Sequence, residues 1–140
     1  MTIWNTNISF EAIKERNKDT MVDHLGIEFT DIGDDYLVAT MPVDHRTKQA
    51  LGIMHGGASC VLAETVGSVA ANYAIDITTH YCVGLDINTN HIRSIKSGFV
   101  VGKAQPFHIG RSTQVWDIKI TDENEKLISV NRLTMAVMKR

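Results

Sequence analysis

A long stretch with a single formal charge constrains this sequence more than any other feature. Between Lys48 and Asp76 the only formally charged residue is Glu64, although 21% of the chain is charged. A helix at a protein surface normally covers its solvent face with several charges. This stretch is therefore expected to meet other surfaces on most sides, with one carboxylate retained among apolar and small residues.

The spacing of the apolar residues predicts a helix from Gly57 to about Ile75, because they recur at steps of three and four. The opposite face carries small residues around Glu64. Such a face lets another surface approach closely, and we expect a second copy of the chain there. The apolar stripe is Ala58, Leu62, Thr65, Val66, Val69 and Tyr73, and the small face is Gly57, Cys60, Gly67, Ser68 and Ala71.

A carboxylate that loses hydration is useful as a general base or a nucleophile. Ser68 lies one helical turn after Glu64 and could position a water molecule or the substrate. The helix alone leaves a second interpretation open, in which Glu64 only accepts a hydrogen bond from a backbone group across an interface.

The loop before the helix favours the chemical interpretation. Gln49 and the run Met54-His55-Gly56-Gly57 lie directly upstream of the predicted helix. Two glycines at a helix start expose backbone N–H groups, and the helix dipole favours negative charge there. This arrangement can act as an oxyanion hole for a polarised carbonyl. With an acid on the same helix, the pattern is typical of an acyl-transfer site.

The rest of the chain predicts an α+β domain spanning residues 1–140, with one helix packed on a largely antiparallel sheet. Ser9 is expected to cap a short helix that ends near Asp19. A hairpin and then four strands are predicted from alternating residues and turn signals. The hairpin pairs His24–Ile32 with Tyr36–Met41, and the four strands are Tyr81–Ile92, Gly98–Phe107, Ser112–Thr121 and Leu127–Met138.

Composition excludes several classes of protein. The net charge of −2 argues against a general nucleic-acid binder. The amino terminus has no signal-peptide pattern, and the longest apolar stretch is too polar to span a membrane, so a cytoplasmic protein is expected. Cys60 and Cys82 are predicted to be free thiols. The six histidines show no ligand spacing, so we expect no metal.

The run Gln49-x5-His55-Gly56-Gly57-x6-Glu64-x3-Ser68 resembles the hot-dog fold thioesterases, in particular the branch that contains 4-hydroxybenzoyl-CoA, phenylacetate-pathway and 1,4-dihydroxy-2-naphthoyl-CoA enzymes. Two later segments, Val83–Arg93 and His108–Arg111, resemble the same branch. The resemblance implies a curved antiparallel sheet of about six strands around one long helix. It also implies a homodimer with active sites at the subunit interface, often paired into a homotetramer.

The resemblance assigns roles to individual residues. Glu64 would be the nucleophile or general base, and the Gly56 N–H would polarise the thioester carbonyl. Gln49 and His55 would position the reacting groups, and Ser68 would orient water or the acyl group. Glu64 and Ser68 would come from one subunit and Gln49–Gly57 from its partner. The residues implied to contact coenzyme A are Gly84, Asn90, His91, Ile92, Arg93, Ser94, His108, Ile109, Gly110, Arg111 and Ser112.

The expected activity is hydrolysis of an aromatic or medium-chain acyl-CoA, with no cofactor because CoA is part of the substrate. Two alternatives stay open: a non-catalytic acyl-CoA-binding module and an enoyl-CoA hydratase, although no Asp follows His55 at the short spacing that a hydratase needs. Candidates for the acyl pocket are Trp4, Met21, Val22, Tyr73 and Tyr81.

Overall fold

A computed structural model describes all 140 residues as three helices and six strands. The long helix and its strands lie close to the predicted positions, and Ser9 caps the first helix by accepting a hydrogen bond from the N–H of Ala12. In chain order the elements are α1 Phe10–Arg16, α2 Met21–His24, β1 Glu28–Ile32, β2 Leu37–Pro42, α3 Gly56–Tyr73, β3 His80–His91, β4 Phe99–Ile109, β5 Thr113–Asp122 and β6 Leu127–Lys139.

The six strands form one sheet in the order β1-β2-β4-β5-β6-β3, and every neighbouring pair is antiparallel. The α+β hot-dog architecture is therefore confirmed. β1 and β3 are the two edges. β3 is the longer of them, and its outer side chains include Val83, 43% exposed, and Leu85, 61% exposed. A bulge between Gly84 and Asp86 interrupts its pairing with β6.

Helix α3 packs into the sheet along its whole length, which explains why it carries so few charges. Leu62 and Val66 have no exposed surface, as predicted for the apolar stripe. The small face packs closely as well, because a Cβ atom added at Gly67 would lie 2.6 Å from Leu133 Cδ2. The prediction that this face meets a second copy is thus wrong for Gly67 and for the fully buried Ala71, which pack within their own chain.

One predicted strand begins too early. The segment from His24 to Ile27 was predicted to be extended, but Met21–His24 is a short helix and β1 starts only at Glu28. Gly26 separates the two elements with a φ of +70°, a conformation that side-chain-bearing residues rarely adopt. The alternating pattern of the sequence does not register this turn. None of the three helices is both long enough and apolar enough to span a membrane.

A buried polar pair joins β5 to α3. The Nε1–H of Trp116 donates to Gln114 Oε1 at 2.8 Å, and Gln114 Nε2 donates to the carbonyl of Ala71 at 3.4 Å. Both side chains are fully buried. The amide of Gln114 therefore satisfies groups that have no access to water.

We predict that Gln114→Leu destabilises the fold by about 1–3 kcal/mol, because it leaves the buried Trp116 N–H without an acceptor while keeping a similar volume. Urea unfolding followed by Trp fluorescence measures this change. The partly exposed Gln105→Leu is the matched control and should shift stability by no more than about 0.5 kcal/mol. Equal stability of the two variants would contradict the role given to Gln114.

Candidate active site

The start of α3 is fixed by the imidazole of His55. His55 is the N-cap residue, and its Nδ1 accepts a hydrogen bond from the N–H of Gly57 at 2.8 Å. In the neutral ring the proton must therefore reside on Nε2. His55 is exposed, so this Nε2–H is available as a donor to a ligand. The predicted positioning role of His55 is thus combined with capping of the helix.

The backbone N–H of Gly56 is a free donor at this helix start. The N–H of Gly57 is taken by His55 and that of Ala58 donates to the His55 carbonyl, whereas the N–H of Gly56 makes no hydrogen bond within the chain. The ring of His91 lies beside it, since a Cβ atom added at Gly56 would be 2.8 Å from His91 Nε2. A side chain at position 56 would meet this ring unless the exposed ring of His91 moved aside.

Gln49 is presented by a tight turn. Its backbone N–H donates to the Ile53 carbonyl at 2.9 Å, and Lys48 forms an isolated bridge with Met54. Its side-chain Oε1 accepts from the N–H of Leu51. The amide nitrogen Nε2 of Gln49 has no partner, so its two N–H groups can donate to a ligand.

The same loop is anchored to the body of the protein. Arg46 donates to Asp44 Oδ2 at 2.7 Å and to the carbonyl of His24 at 2.9 Å. The hydrogen bond from Arg46 lowers the pKa of Asp44 to about 2. The N–H of His55 donates to the carbonyl of Thr47, which joins this anchored segment to the start of α3.

A pocket of about 270 Å³ opens beside these donors. Of the residues predicted to belong to the site, Gln49, Gly56 and the segment His91–Ser94 line this pocket. Within that segment, Arg93 is exposed and has no acidic partner. The structure adds Ser59, which no prediction included. Ser59 belongs to the buried side of α3, and a hydroxyl on that apolar side was the signal in the sequence. The other residues that line the pocket are Ile53, Met54, Ile95 and Ile128.

Glu64 lies two turns further along α3 and is half-buried. Its carboxylate forms no hydrogen bond and no ion pair within the chain. It lies against the backbone of β3, since a Cβ atom added at Gly84 would be 2.5 Å from Glu64 Oε1. Glu64 therefore bonds no backbone group of its own chain, and Gly84 provides the space that the carboxylate occupies.

A second pocket, of about 360 Å³, lies beyond Glu64 on the same side of α3. Ser68 lines it, and its hydroxyl has only a 3.8 Å contact with Met135 Sδ. Of the acyl-pocket candidates, Tyr73 and Tyr81 line this space, whereas Trp4, Met21 and Val22 do not. Trp4 instead donates its Nε1–H to the carbonyl of Gly33 at 2.7 Å.

The chain thus carries two separate half-sites. The amide half-site comprises Gln49, His55, Gly56, Ser59 and the segment His91–Ser94, and the carboxylate half-site comprises Glu64, Ser68 and Gly84. Gly56 and Glu64 are eight residues apart in α3, which is about 12 Å along the axis at ~1.5 Å per residue. The two residues therefore lie more than two helical turns apart in one chain.

The two segments implied to contact coenzyme A are also far apart. His91 pairs with Ser129 on β6, whereas Thr113, which follows the His108–Ser112 segment, pairs with Ala136. Seven residues along β6 correspond to about 23 Å at ~3.3 Å per residue. The turn between β4 and β5 is held by a hydrogen bond from the N–H of Gly110 to the Thr113 carbonyl at 2.9 Å. Within one chain, His108–Ser112 therefore lies with the carboxylate half-site.

Asn90 is separated from both half-sites. It shares a shallow depression with Asn88, Asp117 and Arg132 on the face of the sheet opposite α3. Strand residues alternate between faces, so His91 points toward Gly56 and its neighbour Asn90 points away. Within the single chain, Asn90 therefore does not line the pocket that His91 lines.

The remaining reactive groups do not add to the site. Both cysteines are free, and burial raises the pKa of the Cys82 thiol to about 11. A thiol with so high a pKa is a poor nucleophile near neutral pH. No group of three His, Cys, Asp or Glu side chains is arranged to hold a metal ion.

A free helix N-terminal amide and a partnerless glutamate on one helix, packed on this sheet, can be compared with known proteins. The Thioesterase superfamily profile matches residues 51–129. The chain is 49% identical over 136 residues to the 1,4-dihydroxy-2-naphthoyl-CoA hydrolase of Escherichia coli, covering 97% of this chain and 99% of that protein. It is 46% identical to the proofreading thioesterase EntH of Cronobacter turicensis, covering 97% and 98%.

A solved structure agrees with these sequence matches. A mutant thioesterase from Pseudomonas aeruginosa superposes with a TM-score of 0.98 at 42% identity, covering 99% of this chain and all of that one. The chain therefore belongs to the thioesterase superfamily with the hot-dog fold, and it is a thioester hydrolase.

We predict that Gly84→Ala lowers kcat for thioester hydrolysis by about 10- to 100-fold, because the new Cβ displaces the Glu64 carboxylate by a distance comparable to 1 Å. Asp86→Ala, on the same exposed edge strand, is the control and should retain activity. Circular dichroism verifies that both variants are folded. Full activity of Gly84→Ala would show that the carboxylate does not work from the observed position.

Proposed function

We propose that the protein hydrolyses acyl-CoA thioesters at a composite site, in which the amide half-site of one subunit meets the carboxylate half-site of its partner. One observation carries this proposal: the chain has two incomplete sets of groups suited to catalysis. They are separated by about 12 Å along α3, as the ~1.5 Å rise per helical residue gives. Each set has what the other lacks: one has only hydrogen-bond donors, and the other has the only uncommitted acid nearby.

A two-fold axis passing near Cys60 of α3, midway between Gly56 and Glu64, would join the half-sites. Antiparallel placement of two α3 helices brings Gly56 of one chain to Glu64 of the other, and the same operation brings the His91 end of β3 toward the Gly84 region of its partner. The exposed edge of β3 supports this arrangement, since its N–H and C=O groups have no partner on that side. A C2 dimer contains two equivalent sites. Pairing of such dimers into a homotetramer is part of the proposal.

The mechanism follows from the groups in each half-site. The carbonyl oxygen of the thioester accepts a hydrogen bond from the N–H of Gly56. The Nε2–H groups of Gln49 and His55 orient the substrate. Glu64 then either takes a proton from a water molecule that attacks the carbonyl carbon, or attacks that carbon itself to form an anhydride, which water opens. In both routes the C–S bond breaks and CoA leaves as a thiol. The N–H of Gly56 stabilises the oxyanion at each tetrahedral stage.

The pocket beyond Glu64 is proposed to receive the acyl group. Its volume of about 360 Å³ falls within the usual range of ligand pockets, roughly 300–1,000 Å³. Tyr73 and Tyr81 offer aromatic surface beside the hydroxyl of Ser68, which favours an aromatic or medium-chain acyl group. Arg93 and Arg111 are exposed and without acidic partners, and they are proposed to bind the phosphates of CoA.

We predict that Glu64→Gln lowers the rate of thiol release from benzoyl-CoA by about 10²–10⁴-fold, because the amide can neither accept a proton nor attack the carbonyl. Binding of benzoyl-CoA, measured by calorimetry, should change little. Glu15→Gln, on the exposed face of α1, is the matched control. Undiminished thiol release by Glu64→Gln would refute the mechanism. With an enoyl-CoA as the substrate of the wild-type protein, loss of the double bond without thiol release would favour a hydratase.

Mixing two inactive variants tests whether the site is shared. Glu64→Gln and Gln49→Ala homodimers, unfolded together and refolded, form heterodimers in which one of the two sites has neither substitution. Random reassortment should restore about one quarter of wild-type activity in a C2 dimer. If both half-sites acted within one chain, the mixture would be no more active than its components.

Single-turnover hydrolysis in H₂¹⁸O distinguishes the two roles of Glu64. If Glu64 attacks directly and water then opens the anhydride at the carboxyl carbon of Glu64, the heavy oxygen appears first in the carboxylate of Glu64, and the free acid from the first turnover contains ¹⁶O. Activation of water places ¹⁸O in the acid at once. Mass spectrometry measures the ¹⁸O content of the product acid and of the peptide that contains Glu64.

A further inference from the structure

Ser59 is a buried polar residue whose hydroxyl has no hydrogen-bond partner. Its side chain is 1% exposed, and Oγ makes no bond with any protein atom. Buried hydroxyl groups are nearly always paired, because an unpaired one loses its hydration without compensation. The hydroxyl of a helical serine often donates a hydrogen bond to the carbonyl four residues earlier. For Ser59 that carbonyl belongs to His55, and it accepts a hydrogen bond from the N–H of Ala58 instead.

The position of Ser59 indicates a role for its unpaired hydroxyl. Ser59 lines the same pocket as Gly56, Gln49 and His91. It follows Gly56 by three residues, so the two share one face of α3. A helical side chain leans over the turn that precedes it, which carries Ser59 Oγ toward the free N–H of Gly56.

We propose that the hydroxyl of Ser59 is a second donor to the thioester carbonyl oxygen, acting beside the N–H of Gly56. The inference rests on the proposed hydrolysis and adds a catalytic residue to it. A hydroxyl hydrogen rotates freely, so it can follow the oxygen as the planar carbonyl becomes a tetrahedral oxyanion. The hydrogen bond is then stronger to the oxyanion than to the substrate, which is the condition for accelerating the chemical step.

The first experiment compares Ser59→Ala with Thr6→Val. Thr6 Oγ1 is the other buried side-chain atom without a partner, and Thr6 lines neither pocket of the site. Both substitutions remove an unpaired hydroxyl, so neither should lower the melting temperature. Ser59→Ala should lower kcat for benzoyl-CoA by about 10- to 100-fold with KM nearly unchanged, whereas Thr6→Val should retain full kcat.

The second experiment measures polarisation of the carbonyl without requiring turnover. Benzoyl-CoA labelled with ¹³C at the carbonyl is bound to Glu64→Gln, and isotope-edited infrared difference spectra report its stretching frequency. Loss of a donor strengthens the C=O bond, so the band should move to higher frequency in the Ser59→Ala/Glu64→Gln double variant. The Thr6→Val/Glu64→Gln variant should show the same band as Glu64→Gln alone.

The outcomes separate this inference from the proposed function. An unmoved carbonyl band overturns the role of Ser59, whether or not Ser59→Ala is also less stable. A raised KM with unchanged kcat would place the hydroxyl on the pantetheine arm and likewise overturns it. If the wild-type protein released no thiol, the proposed hydrolysis would fail, while the shift of the band between the bound wild type and Ser59→Ala would still decide whether the hydroxyl contacts the carbonyl.

Discussion

The close approach of α3 to the sheet is the constraint on which the rest of the structure depends. Gly67 lets the helix backbone approach Leu133, and Gly102 on β4 leaves room for the side chain of Leu62 at 3.2 Å from its hypothetical Cβ. Dense packing of this kind leaves a helix few ways to shift. The backbone positions of Gly56 and Glu64 are therefore held by a rigid element, which the proposed catalysis by positioned groups requires.

Much of this arrangement follows from the sequence, because the signals are local or periodic. The isolation of Glu64, the glycine pair after His55 and the alternation of the later strands each depend on neighbouring residues. The short helix Met21–His24 was missed because the alternation of residues 24–32 does not register the turn at Gly26, where φ is +70°. The direction of the Asn90 side chain follows from the alternation of side chains between the two faces of a strand. A motif treated as one continuous run of residues does not show this alternation.

The division into two half-sites could not be predicted from residues alone, although the resemblance implied it. Spacing in the sequence shows that Gly56 and Glu64 share a helix. The direction of each side chain and the path of β3 are what support the proposal that the two groups serve different carbonyl groups. Ser59 illustrates a further limit. A serine on the inner face of a helix is common, and only the absence of any partner within the packed structure distinguishes it.

The free edge of β3 has a consequence for the isolated chain. Its row of unpaired backbone groups, with Val83 and Leu85 on the surface, can template strand addition by any extended peptide. Newly synthesised chains at low concentration are thus at risk of misassembly until the edge is covered. Rapid self-association of this protein would protect its solubility as well as complete its chemistry, so cellular abundance and activity would be linked through a single strand.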